Sequence, residues 1–441
     1  MKILQTTALF LFIFGLQNII FAQTAVRKNL TQAEKSQIIE KALDLLGKNY
    51  VFPEVSKKIE TTVRENLKKN EYEKINEADE LAVRLTQDFQ SVNKDQHLRI
   101  MYSPEILAPE PKEDYLPPRE VIEQIKQNQA RENFGIQKVE ILKGNIGYIN
   151  FKYFTSPEWA GEIYTGAMNF AANADALIID LRENGGSMHP DAIPFLCSYF
   201  FADPVHLNDI YWRPANETRQ FWTYAKVPGK RYLDKPIYIL TSNRTFSGAE
   251  ELAYDLKNLK RAVIIGERTR GGAHPGGSRR INDHFSIWLP VGRAINPVTH
   301  TNWEGTGVEP DFEVSSGKAL YTAQLQAVKE ISKSSKDDQW KQMLNDLSAE
   351  LTGKLEGFKK TTFRLKGFEN AKAVYLSGDF NGWSPRSISM KKAANQWVAE
   401  IEIEPGEHEY KFIVDGTWIT DPKNPRVKNT GQFENSVLNV R

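Results

Sequence analysis

Apolar positions switch from helical to strand-like spacing along the chain, and the switches divide it. From Thr31, Ile38, Ile39, Ala42, Leu45 and Leu46 form one stripe behind the capping box Thr31-x-x-Glu34, which predicts an amphipathic helix stopped by Gly47 and Pro53. Further helices are expected at 55–69 and 77–89, making a small helical subdomain. Asp95-Gln-His-Leu-Arg-Ile-Met-Tyr102 then alternates like a strand, and places His97 at a helix-to-strand junction.

Residues 104–137 are rich in proline and charge, a surface connection with an exposed helix near 118–132. Short β-rich runs follow at 139–142, 146–151 and 176–180, the last so apolar that both faces should be buried. A crossover helix at 160–172 completes a βαβ pattern. Strands are predicted at 236–240, 262–266 and 285–290, and helices at 192–201 and 317–356, the latter with a solvated break at 333–338. From Thr361 the pattern becomes alternating strands and turns, a small β-sandwich.

One stretch joins a buried strand to a helix through a polar corner. After Pro236-Ile-Tyr-Ile-Leu240 comes Thr-Ser-Asn-Arg-Thr-Phe-Ser247, then Leu252, Ala253, Leu256 and Leu259 at helical spacing. A serine at such a corner stands beside the first free helix N–H groups, which suits a nucleophile whose attack creates an oxyanion. Ser247-x-x-Glu250 is equally an ordinary capping box, and the motif alone does not choose. Asp180-Leu-Arg-Glu-Asn-Gly-Gly186 leaves its strand with a glycine pair, either a plain turn or a place for backbone to approach a ligand. The glycine-rich 267–277 reads as a loop facing substrate, and Glu304 lies in a loop where it could orient an imidazole.

Composition narrows the function. Lysine and arginine number 57 against 56 acidic residues, a net charge of +1, so neither nucleic acid nor an anionic membrane surface is expected as a partner. The first 22 residues have a lone positive charge, a short apolar core and Ala22 before Gln23, the layout of a secretory signal peptide, so a secreted or periplasmic chain with no membrane span after cleavage is expected. The single cysteine, Cys197, excludes internal disulfides and reads as a buried hydrophobe. Scattered histidines give no helical His-x-x-x-His pair, so no metal and no cofactor are expected.

Asp95-Gln-His-Leu, Asp180-Leu-Arg-Glu-Asn-Gly-Gly, Thr245-Phe-Ser-Gly-Ala-Glu and Trp303-Glu-Gly-Thr-Gly-Val-Glu-Pro-Asp311 together resemble the tail-specific (C-terminal processing) serine peptidases, in the branch related to the tricorn core and interphotoreceptor retinoid-binding protein. The resemblance spans about residues 30–330. It implies a crotonase-like α/β core (111–316) behind a helical subdomain (23–110), with 317–358 a helical linker. It also implies hydrolysis of peptide bonds in unfolded polypeptides. By the same resemblance Ser247 matches the nucleophile, His97 the base, Glu304 its orienting carboxylate, and the backbone N–H groups of Gly248 and Gly186 (favoured over Gly185) the oxyanion donors. Two departures stand out: the family's alternative lysine base aligns with Gly272, and no PDZ-like insertion is evident. His274 and His284 are rival bases matching no family role.

Residues 359–441 resemble the glycogen-binding module of AMP-activated kinase β subunits, an immunoglobulin-like β-sandwich. The resemblance implies an α-glucan partner, with Trp383, Lys411, Trp418 and Asn435 as sugar contacts. Two other readings remain open at this stage: a non-catalytic binder of apolar ligands like the retinoid-binding relatives, and a glycan-targeted adaptor acting through the C-terminal module.

Overall fold

A computed structural model describes residues 29–108, 119–431 and 433–441. The leader-like residues 1–22 lie outside the described residues. No described helix is long and apolar enough to cross a membrane.

Helices α1 (Gln32–Asn49), α2 (Pro53–Lys68) and α3 (Ala78–Asn93) carry the expected stripes, and α1 starts on the Thr31 capping box. Ile38, Ile39, Leu46, Ile59, Leu81 and Phe89 bury them against one another and against Phe285, Ile287 and Leu289 of a neighbouring strand. At about 25 cal/mol per Å² of apolar surface, this burial fixes the subdomain to the rest of the molecule. Strand β1 (Arg99–Tyr102) leaves α3 through the turn that holds His97.

Helix α4 (Arg119–Arg131) leads to β2 (Ile136–Leu142), β3 (Ile146–Phe151), α5 (Pro157–Ala171) and β4 (Ala176–Asp180). The helix expected over 192–201 is shorter, α6 (Ala192–Cys197), inside the apolar cluster that holds Cys197. A hairpin, β5 (His206–Trp212) and β6 (Glu217–Trp222), follows. Next come β7 (Ile237–Thr241), α7 (Gly248–Asn258), β8 (Val263–Gly266), β9 (Gly276–Arg280), β10 (Phe285–Pro290), β11 (Gly292–Ile295) and β12 (Phe312–Glu313).

The central sheet runs β12-β8-β7-β4-β3-β2, parallel throughout except for the β2–β3 pair. Its middle strands β4 and β7 are buried at every position, as their unbroken apolar runs require. Helices α5, α6 and α7 cover one face. Helices α8 (Ser316–Ser334) and α9 (Asp338–Gly357) cover the other, through Ala323, Ala327, Val328, Leu344 and Leu347. Two smaller sheets, β1-β10-β9 and β11-β5-β6, complete this part.

The C-terminal module has two further sheets around one core of Phe363, Leu365, Leu376, Trp397, Tyr410 and Phe412. It is tied to α8 by Lys318–Glu402 (2.8 Å) and by the Tyr321 hydroxyl donating to Glu404 (3.0 Å).

Candidate active site

Parallel strands β4 and β7 end side by side, and the two loops that leave them are stitched together. The Thr245 hydroxyl donates to Leu181 O (2.8 Å), the Ser242 hydroxyl to Arg182 O (2.5 Å) and Phe246 N–H to Asn184 O (3.1 Å). Carboxyl ends of adjacent parallel strands are where α/β sheets gather their sites. Ser247 sits there as the N-cap of α7 with φ 56° and ψ −124°, a conformation rare for a residue with a side chain. Such strain persists only where its surroundings over-determine it, and a nucleophile at a strand-to-helix elbow is one such place.

Glu250 is what holds the elbow. Its fully buried carboxylate accepts Ser247 N–H (2.8 Å), the Thr269 hydroxyl (2.5 Å), Gly271 N–H (2.6 Å) and Gly272 N–H (2.9 Å). The residue that looks like a mere cap therefore ties the elbow to the glycine-rich loop. Burial pushes its carboxyl up to about 7, against four hydrogen bonds that favour the charged form.

That loop passes His97. The imidazole is 4 % exposed, stacks on Phe246 at 4.4 Å between ring centres, and its Nδ1 has no hydrogen-bond partner among the described residues. Burial pushes its pKa down to about 3, with Asp95 opposing and Arg99, His274 and Arg270 reinforcing the shift, so the ring is neutral at ordinary pH. No hydrogen bond joins His97 to Ser247 among the described residues. Catalytic contacts in a free enzyme are often loose.

No hydrogen bond joins Glu304, expected from the resemblance to orient the base, to His97 among the described residues. The Glu304 carboxylate accepts Ala273 N–H (2.6 Å) and faces His274 Nδ1 at 3.3 Å, while that nitrogen also lies 2.9 Å from Asp95. Asp95 is wholly buried and accepts the Tyr50 hydroxyl (2.9 Å) and His97 N–H (3.0 Å), so it steadies the His97 turn through the backbone. Burial alone would raise the Asp95 carboxyl, but the hydrogen bond and charge of His274 hold it below its ordinary value. Burial opposes charge on His274 too, yet Asp95 and Glu304 push that imidazole up. Burial and the Asp95 charge push Glu304 up to about 7. Asp95, His274 and Glu304 offer one ligand atom each within 4.8 Å of one another, a set that could hold a cation. His274 Nδ1 is at hydrogen-bond distance from Asp95 (2.9 Å), with Glu304 slightly further away at 3.3 Å. His284 points elsewhere, its Nδ1 at 3.1 Å from Ser103 O.

The oxyanion assignment also changes. Gly186 N–H donates to Asn184 Oδ1 at 2.9 Å and is not free for a ligand. Glycine is needed there for another reason: at φ +125° a Cβ would stand 2.9 Å from Ser247 Cβ. Gly248 N–H and Ser187 N–H have no acceptor among the described residues, and Ser187 N packs against Gly248.

On the C-terminal module Trp383 and Trp418 stand 6.4 Å apart between ring centres, with Trp418 41 % exposed. Lys411 lies 5.8 Å from the ring of the exposed Phe433, a third aromatic that the sequence reading passed over. Asn435 is buried and its amide donates to Glu409 (2.8 Å), so it leaves the exposed set. The turn bearing Trp383 packs on the elbow: Asn243 donates to Ser387 O (3.0 Å), and the Glu183 carboxylate, held by Arg244 at 2.9 Å, lies against Gly382.

Residues 145–314 match the sequence profile of peptidase family S41. The chain carries a serine peptidase domain of family S41. Ahead of the S41 domain, residues 25–142 match the N-terminal domain of Peptidase_S41 in eukaryotic IRBP, and behind it residues 360–441 match the glycogen recognition site of AMP-activated protein kinase. Over 83 residues, 19% of the chain, the module is 40% identical to 5'-AMP-activated protein kinase subunit beta-1 of Sus scrofa, covering 65% of that protein. The Homo sapiens subunit is also 40% identical, with 29% of its length covered, so the chain spans less than two thirds of these relatives. Among solved structures, a lipoprotein from Streptococcus agalactiae is 17% identical over 68% of this chain and 98% of its own (TM-score 0.45). The photosystem II D1 C-terminal processing protease is 15% identical over 65% and 94% (TM-score 0.39).

Proposed function

We propose that the protein is a secreted or periplasmic serine endopeptidase that hydrolyses unfolded polypeptide through an acyl-enzyme. Ser247 Oγ attacks the scissile carbonyl, His97 takes its proton and returns it to the leaving amine, and water then releases the acyl group. The developing oxyanion is held by Gly248 N–H with Ser187 N–H. Asp95 fixes the His97 turn, and Glu304 acts one step further out, through His274 and Asp95. The observation that carries the reading is the strained Ser247 elbow at a helix N-terminus, clamped by Glu250 to the loop beside His97. The leader-like first 22 residues support export.

Casein digestion by the chain, run beside Ser247→Ala and His97→Ala, tests this. Cleavage by the wild type alone, with both variants folded, upholds it. Equal behaviour of wild type and Ser247→Ala would return the protein to the binding-protein class. The half-buried Trp383 with the exposed Trp418 and Phe433 favours a second role on the same chain, stacking on the sugar rings of a glucan.

A further inference from the structure

A cavity of about 480 Å³ lies where the C-terminal module meets the peptidase core, and neither Ser247 nor His97 lines it. Its size falls within the range of about 300–1,000 Å³ typical of small-ligand sites. The core side of its wall holds Gln137 of β2, Asn150 of β3, and Arg182, Glu183 and Arg244 from the two loops that hold the elbow. The module side is the turn 379–382, which leads into Trp383.

The charges in this wall are spent on one another. Asp180 is clamped by Arg182 (2.6 Å) and accepts the Tyr148 hydroxyl (2.7 Å). Glu183 pairs with Arg244 (2.9 Å), and Lys138 pairs with Glu140. Asp379 meets His408 Nδ1 (2.9 Å) and accepts Glu409 N–H (3.0 Å). An ionic ligand would have to compete with an existing partner at each of these charges.

What the wall leaves unspent suits a neutral ligand. The side-chain amides of Gln137 and Asn150 make no hydrogen bond among the described residues, and Glu183 uses only one carboxylate oxygen toward Arg244. Hydroxyl groups both donate and accept, so a ligand rich in them satisfies free amides and a spare carboxylate oxygen alike. Phe380 adds an apolar face on which the C–H side of a sugar ring can rest. The cavity also shares a turn with the aromatic surface: Phe380 and Gly382 line it, and the next residue, Trp383, stands 6.4 Å from Trp418.

We propose that this cavity is an end-binding subsite for a neutral glucan. A chain stacked on Trp383 and Trp418 inserts its terminal sugar units between the module and the core, where Gln137 and Asn150 are their hydrogen-bonding partners. The inference rests on the glucan role of the module and extends it to residues that the peptidase core supplies. An occupant bridges the turn 379–382 and both elbow loops, because Arg182 and Arg244 stand in the wall and Arg182 O accepts the Ser242 hydroxyl (2.5 Å). Free chain ends are then read by the same loops that carry Ser247.

The test is calorimetric titration of the full chain with maltoheptaose, a linear glucan that has ends, and with β-cyclodextrin, a closed glucose ring that has none. Gln137→Ala combined with Asn150→Ala should weaken maltoheptaose about tenfold, the loss of two hydrogen-bonding amides, and leave β-cyclodextrin unchanged. Asn150→Phe, which fills the cavity, should act in the same way, whereas Trp418→Ala should weaken both glucans. Maltoheptaose binding untouched by the cavity variants, or both glucans weakened alike by them, would overturn the subsite while the aromatic glucan surface stands. Binding of neither glucan by wild type would remove the glucan role itself, and the subsite with it.

Discussion

A Cβ on Gly272 would stand 2.7 Å from Cε1 of His97 and 2.2 Å from the Phe246 ring. The position that aligns with a lysine base in part of the family is therefore closed to any side chain, because the space is filled by Phe246 and the His97 imidazole. Gly272→Ala should move His97 or Phe246 by a large fraction of an ångström. A misplacement of that order costs about 100-fold in rate. We expect kcat/KM on an unfolded substrate to fall by that order with the fold intact by circular dichroism, and Gly272→Lys to behave no better. Unchanged kinetics in Gly272→Ala would remove His97 from the reaction.

Glu250→Gln keeps size and shape but turns one oxygen into an NH2 group. Either amide orientation then faces two donors, Thr269 Oγ1 and Gly271 N–H or Ser247 N–H and Gly272 N–H. Leaving buried donors unmatched costs about 1–3 kcal/mol, so the midpoint of denaturation should fall accordingly. Because the clamp also shapes the elbow, labelling of Ser247 by a fluorophosphonate should slow more than stability alone explains. A variant as stable and as quickly labelled as wild type would make Glu250 a plain cap.

The pH dependence has a definite sign. His97 goes from an unfolded value of 6.5 down to about 3 in the folded chain. The unfolded state therefore takes up a proton, between those values, that the folded state refuses, and stability from this residue is lost as pH falls below about 6.5. By pH 5.5 the loss is about 1 kcal/mol. His97→Gln should show a shallower acid decline than wild type in paired urea titrations. The acid limb of kcat/KM should likewise lie well below pH 6, since the free enzyme keeps this imidazole neutral. A limb at pH 6.5 assigned to His97 would mean the ring is open to water.

The βαβ pattern of the core was legible from sequence because β4 and β7 are unbroken apolar runs and α5 keeps one buried stripe. The β5–β6 hairpin was not, since Glu217-Thr-Arg-Gln220 is exposed and carries no inward face. Ser247 and His97 could be picked out only through the resemblance of their motifs to the peptidase family, since the corner alone reads equally as a cap. What Glu304 touches could not: Asp95, His274 and Glu304 meet only through packing of segments about 30 to 200 residues apart. Nor can sequence tell that Asn184 takes the Gly186 N–H, because a short asparagine finds its partner through the turn it sits in.

That buried cluster separates two roles for Glu304. If it oriented the base directly, Glu304→Gln would cost as much as losing His97. As the structure has it, the carboxylate meets His274 and Ala273 N–H, and His97 is reached only through Asp95. Glu304→Gln should therefore lower kcat by far less than His97→Ala, and combining it with His274→Gln should add little, since both interrupt one network. Asp95→Asn should be the severe change, because it strips the buried charge facing His274 and loosens the His97 turn, a loss of about 3–5 kcal/mol. A Glu304→Gln enzyme as inactive as His97→Ala would show that the carboxylate swings to the base during turnover.

The module should matter to catalysis through its contact with the elbow. Asn243→Ala removes the bond to Ser387, and the Trp383 turn loses one of its holds on the loop that ends in Ser247. We expect a modest loss of stability, about 1 kcal/mol, together with weaker coupling between glucan and activity. In wild type, a soluble maltooligosaccharide that orders Trp383 and Trp418 should change kcat/KM for a peptide substrate. Trp383→Ala should abolish that response without abolishing cleavage, because it is the neighbouring Gly382 and Ser387 that meet the elbow loop, at Glu183 and Asn243. An oligosaccharide that binds tightly yet leaves the kinetics of wild type untouched would mean that the module and the peptidase share a chain but not a mechanism.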